Sequence, residues 1–268
     1  MARCRAISRR AQCFVACSFR KEMRKLLKRL IPTYLLGRYR RARLNFLRMK
    51  NAKRTPREVF SAIYERNEWG GTSGEYCSGS GSSTEHAAKY SEVVRAFIIE
   101  HNISSVVDLG CGDFVVGQAL CMRGLDYTGI DVVAELVQRN QSIFGQDSVR
   151  FLCLDIVADE LPPADLCLLR QVLQHLSNSE IQAILPKLKR YKYVLVTEHY
   201  PAQTIDVIPN KDKAHGPDTR LSDRSAVYLD LPPFGVQVSK LLLEVDARNP
   251  EQADASSGGL LRTILIAN

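Results

Sequence analysis

The residues best equipped for chemistry lie where an apolar run meets a carboxylate and two glycines: Ser105-Val106-Val107-Asp108-Leu109-Gly110-Cys111-Gly112-Asp113. A second run, Tyr127-Thr128-Gly129-Ile130-Asp131, ends in another carboxylate nineteen residues after Gly112. Two strands joined by a helix, with glycines at the first turn and an acid at the second strand's tip, suit a nucleotide-type ligand. Glycine lets backbone approach the ligand closely, and Asp131 offers acceptors to both hydroxyls of a ribose. A dinucleotide fingerprint needs Gly or Ala where this chain has Val115, and the absence of Gly-Lys-Ser/Thr excludes a P-loop. Asp108, two residues before the first glycine, would repel a pyrophosphate and suits a cation. Asp108 and Val115 together therefore disfavour an NAD-dependent reductase. S-adenosylmethionine, with a sulfonium and an ammonium, matches that electrostatic demand.

At these residues the chain resembles the class I S-adenosylmethionine-dependent methyltransferases, whose first motif is Asp/Glu-x-Gly-x-Gly-x-Gly. Phe114 replaces the third glycine. The resemblance implies that Asp108, Gly110, Cys111 and Gly112 cradle the methionine part, with Asp131 and Val132 at the ribose. It also implies that Asp155 meets the adenine amine while Ile156 packs on the ring. After the fourth strand it implies a polar residue, here Gln171, and a His-Leu pair, here His175-Leu176.

A Gly/Ser-rich stretch, 69–83, precedes the motif. Trp69 opens it and a capping-box pattern, Ser82-x-x-Glu85, closes it. Tyr64-x-x-x-x-Trp69-Gly70-Gly71 and the Ser78-Gly79-Ser80-Gly81-Ser82 run resemble a bacterial methyltransferase group that includes proteins of surface glycan biosynthesis. The resemblance implies a lid, with Trp69, Gly79 and Gly81 at the cofactor, and a sugar hydroxyl as acceptor; a flexible linker is the plainer reading. The absence of Asn-Pro-Pro-Tyr argues against methylation of exocyclic amines by enzymes that use it. A catalytically inactive cofactor-binding scaffold is the rival, fed by Phe114.

A hydroxyl nucleophile needs a base. His175 and His199 are the candidates, because imidazole titrates near neutrality, and Glu198 is placed to assist either. His175 alternatively buttresses the helix that follows, whose start Ser177-x-x-Glu180 is an ordinary capping box. The five histidines (86, 101, 175, 199 and 215) have no ligand spacing, so no metal is expected. Lys211, Asp212, Lys213, His215, Asp218 and Arg220 form a charged stretch that either recognises a polar substrate or is a solvated insertion.

The elements that must position these residues alternate. Helices are expected over 58–69, 83–100, 113–123, 133–144 and 178–190, and strands over 104–109, 126–131, 149–155, 164–170 and 192–198. Two closing strands, 240–245 and 260–267, form an antiparallel pair, the usual end of the class I sheet. The fold class is therefore α/β: a doubly wound, seven-stranded, mostly parallel sheet. Residues 201–239, with five prolines, read as a long loop over the substrate side.

The net charge of +8 hides a division. Residues 1–57 carry 19 Lys/Arg against the single acid Glu22, whereas the rest carries 18 Lys/Arg against 28 acids. A basic, partly helical arm (1–57) thus precedes a methyltransferase domain (58–268). Met23, Leu26, Leu27, Leu30 and Ile31 make a helical stripe, and a second basic helix runs from about Tyr34 to Met49. Residues 23–50 either lie on an anionic membrane surface or pack on their own domain. A nucleic-acid arm is a third reading, with too few aromatics for a stacking platform, and no specific nucleic acid is expected. Translation from Met23, or a mitochondrial transit peptide, would account for residues 1–22. Eight cysteines without Cys-x-x-Cys fit reduced thiols in a cytoplasmic protein, peripheral at most to the inner membrane face.

Overall fold

The computed structural model describes residues 33–71, 75–79, 84–202, 206–247 and 259–268, with only the backbone of 33, 34 and 84–86. The chain divides into two compact units, Met1–Lys50 and Asn51–Asn268. The described part of the first is helix α1 (Thr33–Asn51), which has no acid in its first turn and Arg48 and Lys50 in its last. The expected stripe Met23–Ile31 and the Ser82–Glu85 capping box lie outside the described residues. Among the described residues no helix is long and apolar enough to cross a membrane.

In the second unit, α2 (Pro56–Glu65) starts two residues before the expected 58, at a capping box, Thr55-x-x-Glu58, that was not among the sequence expectations. Thr55 takes the Glu58 N–H while Glu58 takes the Thr55 N–H, and Pro56 occupies the first turn, where its missing donor costs nothing. Helix α3 (Thr84–Glu100) buries Tyr90, Val94, Phe97 and Ile98. The strands are β1 (Ser105–Leu109), β2 (Asp126–Asp131), β3 (Val149–Cys153), β4 (Leu166–Arg170), β5 (Tyr193–Pro201), β6 (Lys240–Asp246) and β7 (Gly259–Ala267). They form one sheet, β3-β2-β1-β4-β5-β7-β6. The first five strands run parallel, and β7 is inserted antiparallel between β5 and β6.

Strands covered on both faces read as unbroken apolar runs, and residues 166–169 are such a run, wholly buried. One face packs Val107, Leu109 and Leu169 beneath Ile181 and Ile184 of helix α6 (Asn178–Leu188). The other packs Val106, Leu166 and Leu168 beneath Tyr90, Val94 and Phe97. The strand order reverses between β1 and β4, which opens a crevice at their carboxyl ends.

The helix expected over 113–123 is a correction: only α4 (Val115–Gln118) forms. Ala119 and Leu120 donate to Val116 and Gly117, three residues back, so the turn tightens and stops before Gly124 at φ +82°. Helix α5 (Ala134–Phe144) joins β2 to β3.

Candidate active site

Three alternate residues at the end of β1 are left-handed: Gly110 (φ +79°), Gly112 (φ +56°) and Phe114 (φ +67°). A Cβ on Gly110 would meet Val172 Cγ2 at 2.5 Å, and one on Gly112 would run into Ser78 Oγ. The turn is tied to β2, because the N–H groups of Gly110 and Cys111 both donate to the Ile130 carbonyl at 2.8 and 2.9 Å. Asn140 of α5 donates to the Gly112 carbonyl at 2.8 Å. Phe114 pays left-handed strain of about 1–2 kcal/mol and buries its ring against Tyr127, Phe144 and Phe151. At Gly117 the short helix comes close to β2, since a Cβ there would meet Tyr127 Oη at 2.5 Å.

Two buried carboxylates flank the turn. Asp131 accepts the Gly112 N–H on Oδ2 and the Val133 N–H on Oδ1, each at 3.1 Å. Burial pushes its pKa up to about 6, with those donors pulling the other way. Asp108 accepts the Tyr127 hydroxyl, and burial raises it to about 6 against that hydroxyl and the Arg170 charge. Arg170, at the tip of β4, lays its guanidinium over the Tyr90 ring at 5.1 Å.

Beyond β3, Asp155 Oδ1 accepts the Val157 N–H at 2.9 Å. Lys187 of α6 holds that loop by donating to the carbonyls of Ile156, Val157 and Asp159 at 3.1, 2.8 and 2.8 Å. After β4, Gln171 is left-handed at φ +56° and donates its N–H to Thr197 at 2.7 Å. Its side-chain Nε2 is buried with no partner among the described residues.

The crevice is covered from two sides. Ser78 donates its N–H to Asp113 Oδ2 at 2.9 Å, its Oγ accepts the Asp113 N–H at 2.8 Å, and Tyr64 Oη lies 3.0 Å from that Oγ. Trp69 packs edge-on against Tyr64 and donates Nε1–H to the Pro217 carbonyl at 3.3 Å. His175 Nδ1 lies 3.1 Å from the Gly216 carbonyl. A carbonyl only accepts, so Nδ1 carries the proton and Nε2 accepts from Gln174 Nε2 at 3.3 Å. Burial, and then the Lys213 charge, lower the His175 pKa to about 4.

A family model described as a methyltransferase domain matches residues 106–192, the span from β1 to the approach of β5. Residues 106–192 thus carry a methyltransferase domain. Uncharacterized methyltransferases of Mycobacterium bovis and Mycobacterium tuberculosis are 33% identical to it over 76 residues, 28% of this chain. The chain spans 39% of the length of these relatives. Among solved structures, the N-methyltransferase NodS of Bradyrhizobium japonicum WM9 with S-adenosylhomocysteine aligns at 13% identity, over 67% of this chain and 86% of its own (TM-score 0.48). The 1,6-didemethyltoxoflavin-N1-methyltransferase of Burkholderia thailandensis aligns at 14% identity, over 79% and 87% (TM-score 0.48).

One cavity gathers most of the residues singled out from sequence. Asp108, Gly110, Cys111, Gly112, Asp131 and Val132 line it, as do Asp155, Ile156, Gln171, Trp69 and His175. Gly79 is not among the lining residues and stands beside Trp69, and Gly81 lies outside the described residues. Two catalytic candidates are corrected. Glu198 does not line the cavity: its buried carboxylate accepts the N–H groups of Val172, Leu173 and Gln174 at 3.2, 2.9 and 3.1 Å, capping the short helix that carries His175. Burial raises its pKa to about 8 while those donors and Arg220 oppose the rise. His199 also lies off the cavity, on β5 opposite Leu261, with its ring against Gly259.

The charged stretch is no solvated insertion. Lys213 is 1% exposed at its side chain and donates to the Asp218 carbonyl at 2.7 Å, and His215 Nδ1 meets Glu180 Oε1 at 2.7 Å. Arg220, 2% exposed, donates to the Leu176 carbonyl at 2.8 Å and to that of Lys211. These charges build the loop itself. Ser78, Asp113, Tyr90 and Arg170 were missed as site residues; for Asp113 the signal was a carboxylate directly after the second glycine.

Proposed function

We propose that the whole protein transfers a methyl group from S-adenosylmethionine to an acceptor held beneath Trp69 and His175. The observation that carries this reading is the glycine turn locked to Asp131, with Asp108 buried behind it. The cavity fits the cofactor chemically. Gly110 and Gly112 let the turn pack directly on Val172 and Ser78, which line the cavity with it, and Gln171, also lining it, has a buried Nε2 with no partner among the described residues. Asp131 would hold the ribose hydroxyls, Asp155 and Ile156 the adenine, and Asp108 with the turn the methionine part. Bound there, the cofactor supplies a methyl already activated by its sulfonium.

This chain's own residues then act by placement. As acceptor we name a sugar hydroxyl of a surface glycan, for which Trp69 offers an aromatic face in the cavity. His175, neutral and with Nε2 engaged by Gln174, is a weak base that orients the acceptor, so the hydroxyl proton would pass to water as the methyl is transferred. Calorimetry with S-adenosylmethionine and with NAD, followed by label transfer from methyl-labelled cofactor to glycan precursors, tests the reading. Binding of NAD alone would overturn the cofactor assignment, and cofactor binding without label transfer would overturn the acceptor.

A further inference from the structure

Helix α1 carries an apolar stripe that it leaves in solvent. Leu35, Tyr39, Phe46 and Met49 are 43%, 68%, 67% and 69% exposed. At 3.6 residues per turn they fall within an arc of about 80°. Leu36, Leu44 and Leu47, half-buried, lie on a different face. Arg38 borders the stripe on one side, Arg43 and Lys50 border it on the other, and all three are exposed. The helix holds six Arg/Lys and no acid.

We infer that this face of α1 docks on an anionic lipid surface, with Leu35, Tyr39, Phe46 and Met49 entering the interface and Arg38, Arg43 and Lys50 against the headgroups. An interfacial helix needs both halves of this pattern: large apolar groups on one arc and cations at its borders. Charge complementarity chooses the occupant. A second copy would set Arg38, Arg43 and Lys50 against their own counterparts, which repel. Nucleic acid would meet the cations and leave Leu35 and Met49 without use, since neither side chain stacks on bases.

The test is flotation of the full chain with vesicles of phosphatidylcholine alone and of phosphatidylcholine mixed with phosphatidylglycerol. Binding is expected on the mixed vesicles only, and it falls as salt is raised. Arg38→Gln and Arg43→Gln each lower partitioning roughly fivefold, the weight of about 1 kcal/mol per cation at such a surface. Phe46→Ser with Met49→Ser also lowers it, while calorimetry with S-adenosylhomocysteine reports that the folded domain is intact. Flotation that survives both sets of substitutions would put the contact in another basic segment and overturn the assignment to α1. Absence of flotation, or equal flotation on neutral vesicles, overturns it too. Binding of a single-stranded oligonucleotide without flotation would give the surface to nucleic acid instead.

Discussion

Trp69 and His175 face each other with ring centroids 5.2 Å apart, and their ring nitrogens reach two successive carbonyls, those of Pro217 and Gly216. One chain segment before the sheet, one after β4 and one after β5 thus meet over a single cavity. The Gly216 N–H closes the arrangement by donating to the His175 carbonyl at 2.9 Å.

Asp131 couples the ligand site to the turn, because the carboxylate expected to hold a ribose already accepts the Gly112 and Val133 N–H groups. Losing two charge-assisted hydrogen bonds to the ligand costs about 1.5–3 kcal/mol each. Asp131→Ala is therefore expected to weaken S-adenosylmethionine binding by at least tenfold in calorimetry. Its raised pKa sets a pH dependence: as pH falls through about 6 the carboxylate is protonated, loses acceptor capacity and affinity drops. Asp131→Asn should make that profile shallower, leaving the share that Asp108 sets over the same range. Unchanged affinity in a folded Asp131→Ala protein would remove the residue from the site.

Gly110 and Val172 make a separable test of the cradle. Gly110→Ala adds a Cβ 2.5 Å from Val172 Cγ2 and forces a side chain into left-handed backbone. Binding should fall sharply. Adding Val172→Ala should restore only part of it, since space returns while backbone strain of about 1–2 kcal/mol remains. Full recovery would mean that φ at Gly110 does not matter.

Restoring the family's third glycine should harm the protein. Phe114→Gly relieves about 1–2 kcal/mol of left-handed strain and removes a buried ring whose loss costs about 3–5 kcal/mol. Burial wins, so the variant should be destabilised by about 2–3 kcal/mol in chemical denaturation. A stabilised variant would show that the ring adds little to its cluster with Tyr127, Phe144 and Phe151.

These magnitudes explain what was legible in the sequence. Strand runs such as Leu166–Leu169 and the glycine turn announce themselves, because burial on both faces and left-handed backbone restrict residue type. Phe114 looked like a defect because its compensation comes from Phe144 and Phe151, far along the chain. Glu198 looked catalytic because a carboxylate at a strand end can cap or react, and only the three N–H groups of 172–174 distinguish the two. The loop charges read as either substrate-binding or solvated, because their partners, Leu176 and Glu180, precede the loop by some 35–44 residues.

His175 reports whether the cover is closed. Its folded pKa of about 4 lies below the ordinary 6.5, so the unfolded chain binds its proton first as pH falls. The stability that depends on this neutral ring is fully present above about 6.5 and is lost progressively toward 4. NMR of the imidazole should show the Nδ1–H tautomer at pH 6 and a midpoint near 4. A midpoint near 6.5 would place the ring in water, away from Gly216.

Trp69 tests the cover directly. It is the only tryptophan, so its emission reports this corner of the molecule alone. Its indole donates to Pro217, its ring rests on Tyr64 and Phe60, and Gly70 and Gly71 follow in left-handed backbone. Rigid aromatic area beside glycine joints suits an element that closes over ligand and excludes water. S-adenosylhomocysteine should shift or quench the emission and slow proteolysis between 70 and 83. Trp69→Phe keeps the ring packing and loses the Pro217 bond, so it should weaken ligand binding less than Trp69→Ala does. Both variants should melt as one cooperative unit, because the sheet buries its core without this residue. If calorimetry records saturation while emission and cleavage stay unchanged, the segment is a tether, and the strand ends must hold the cofactor uncovered.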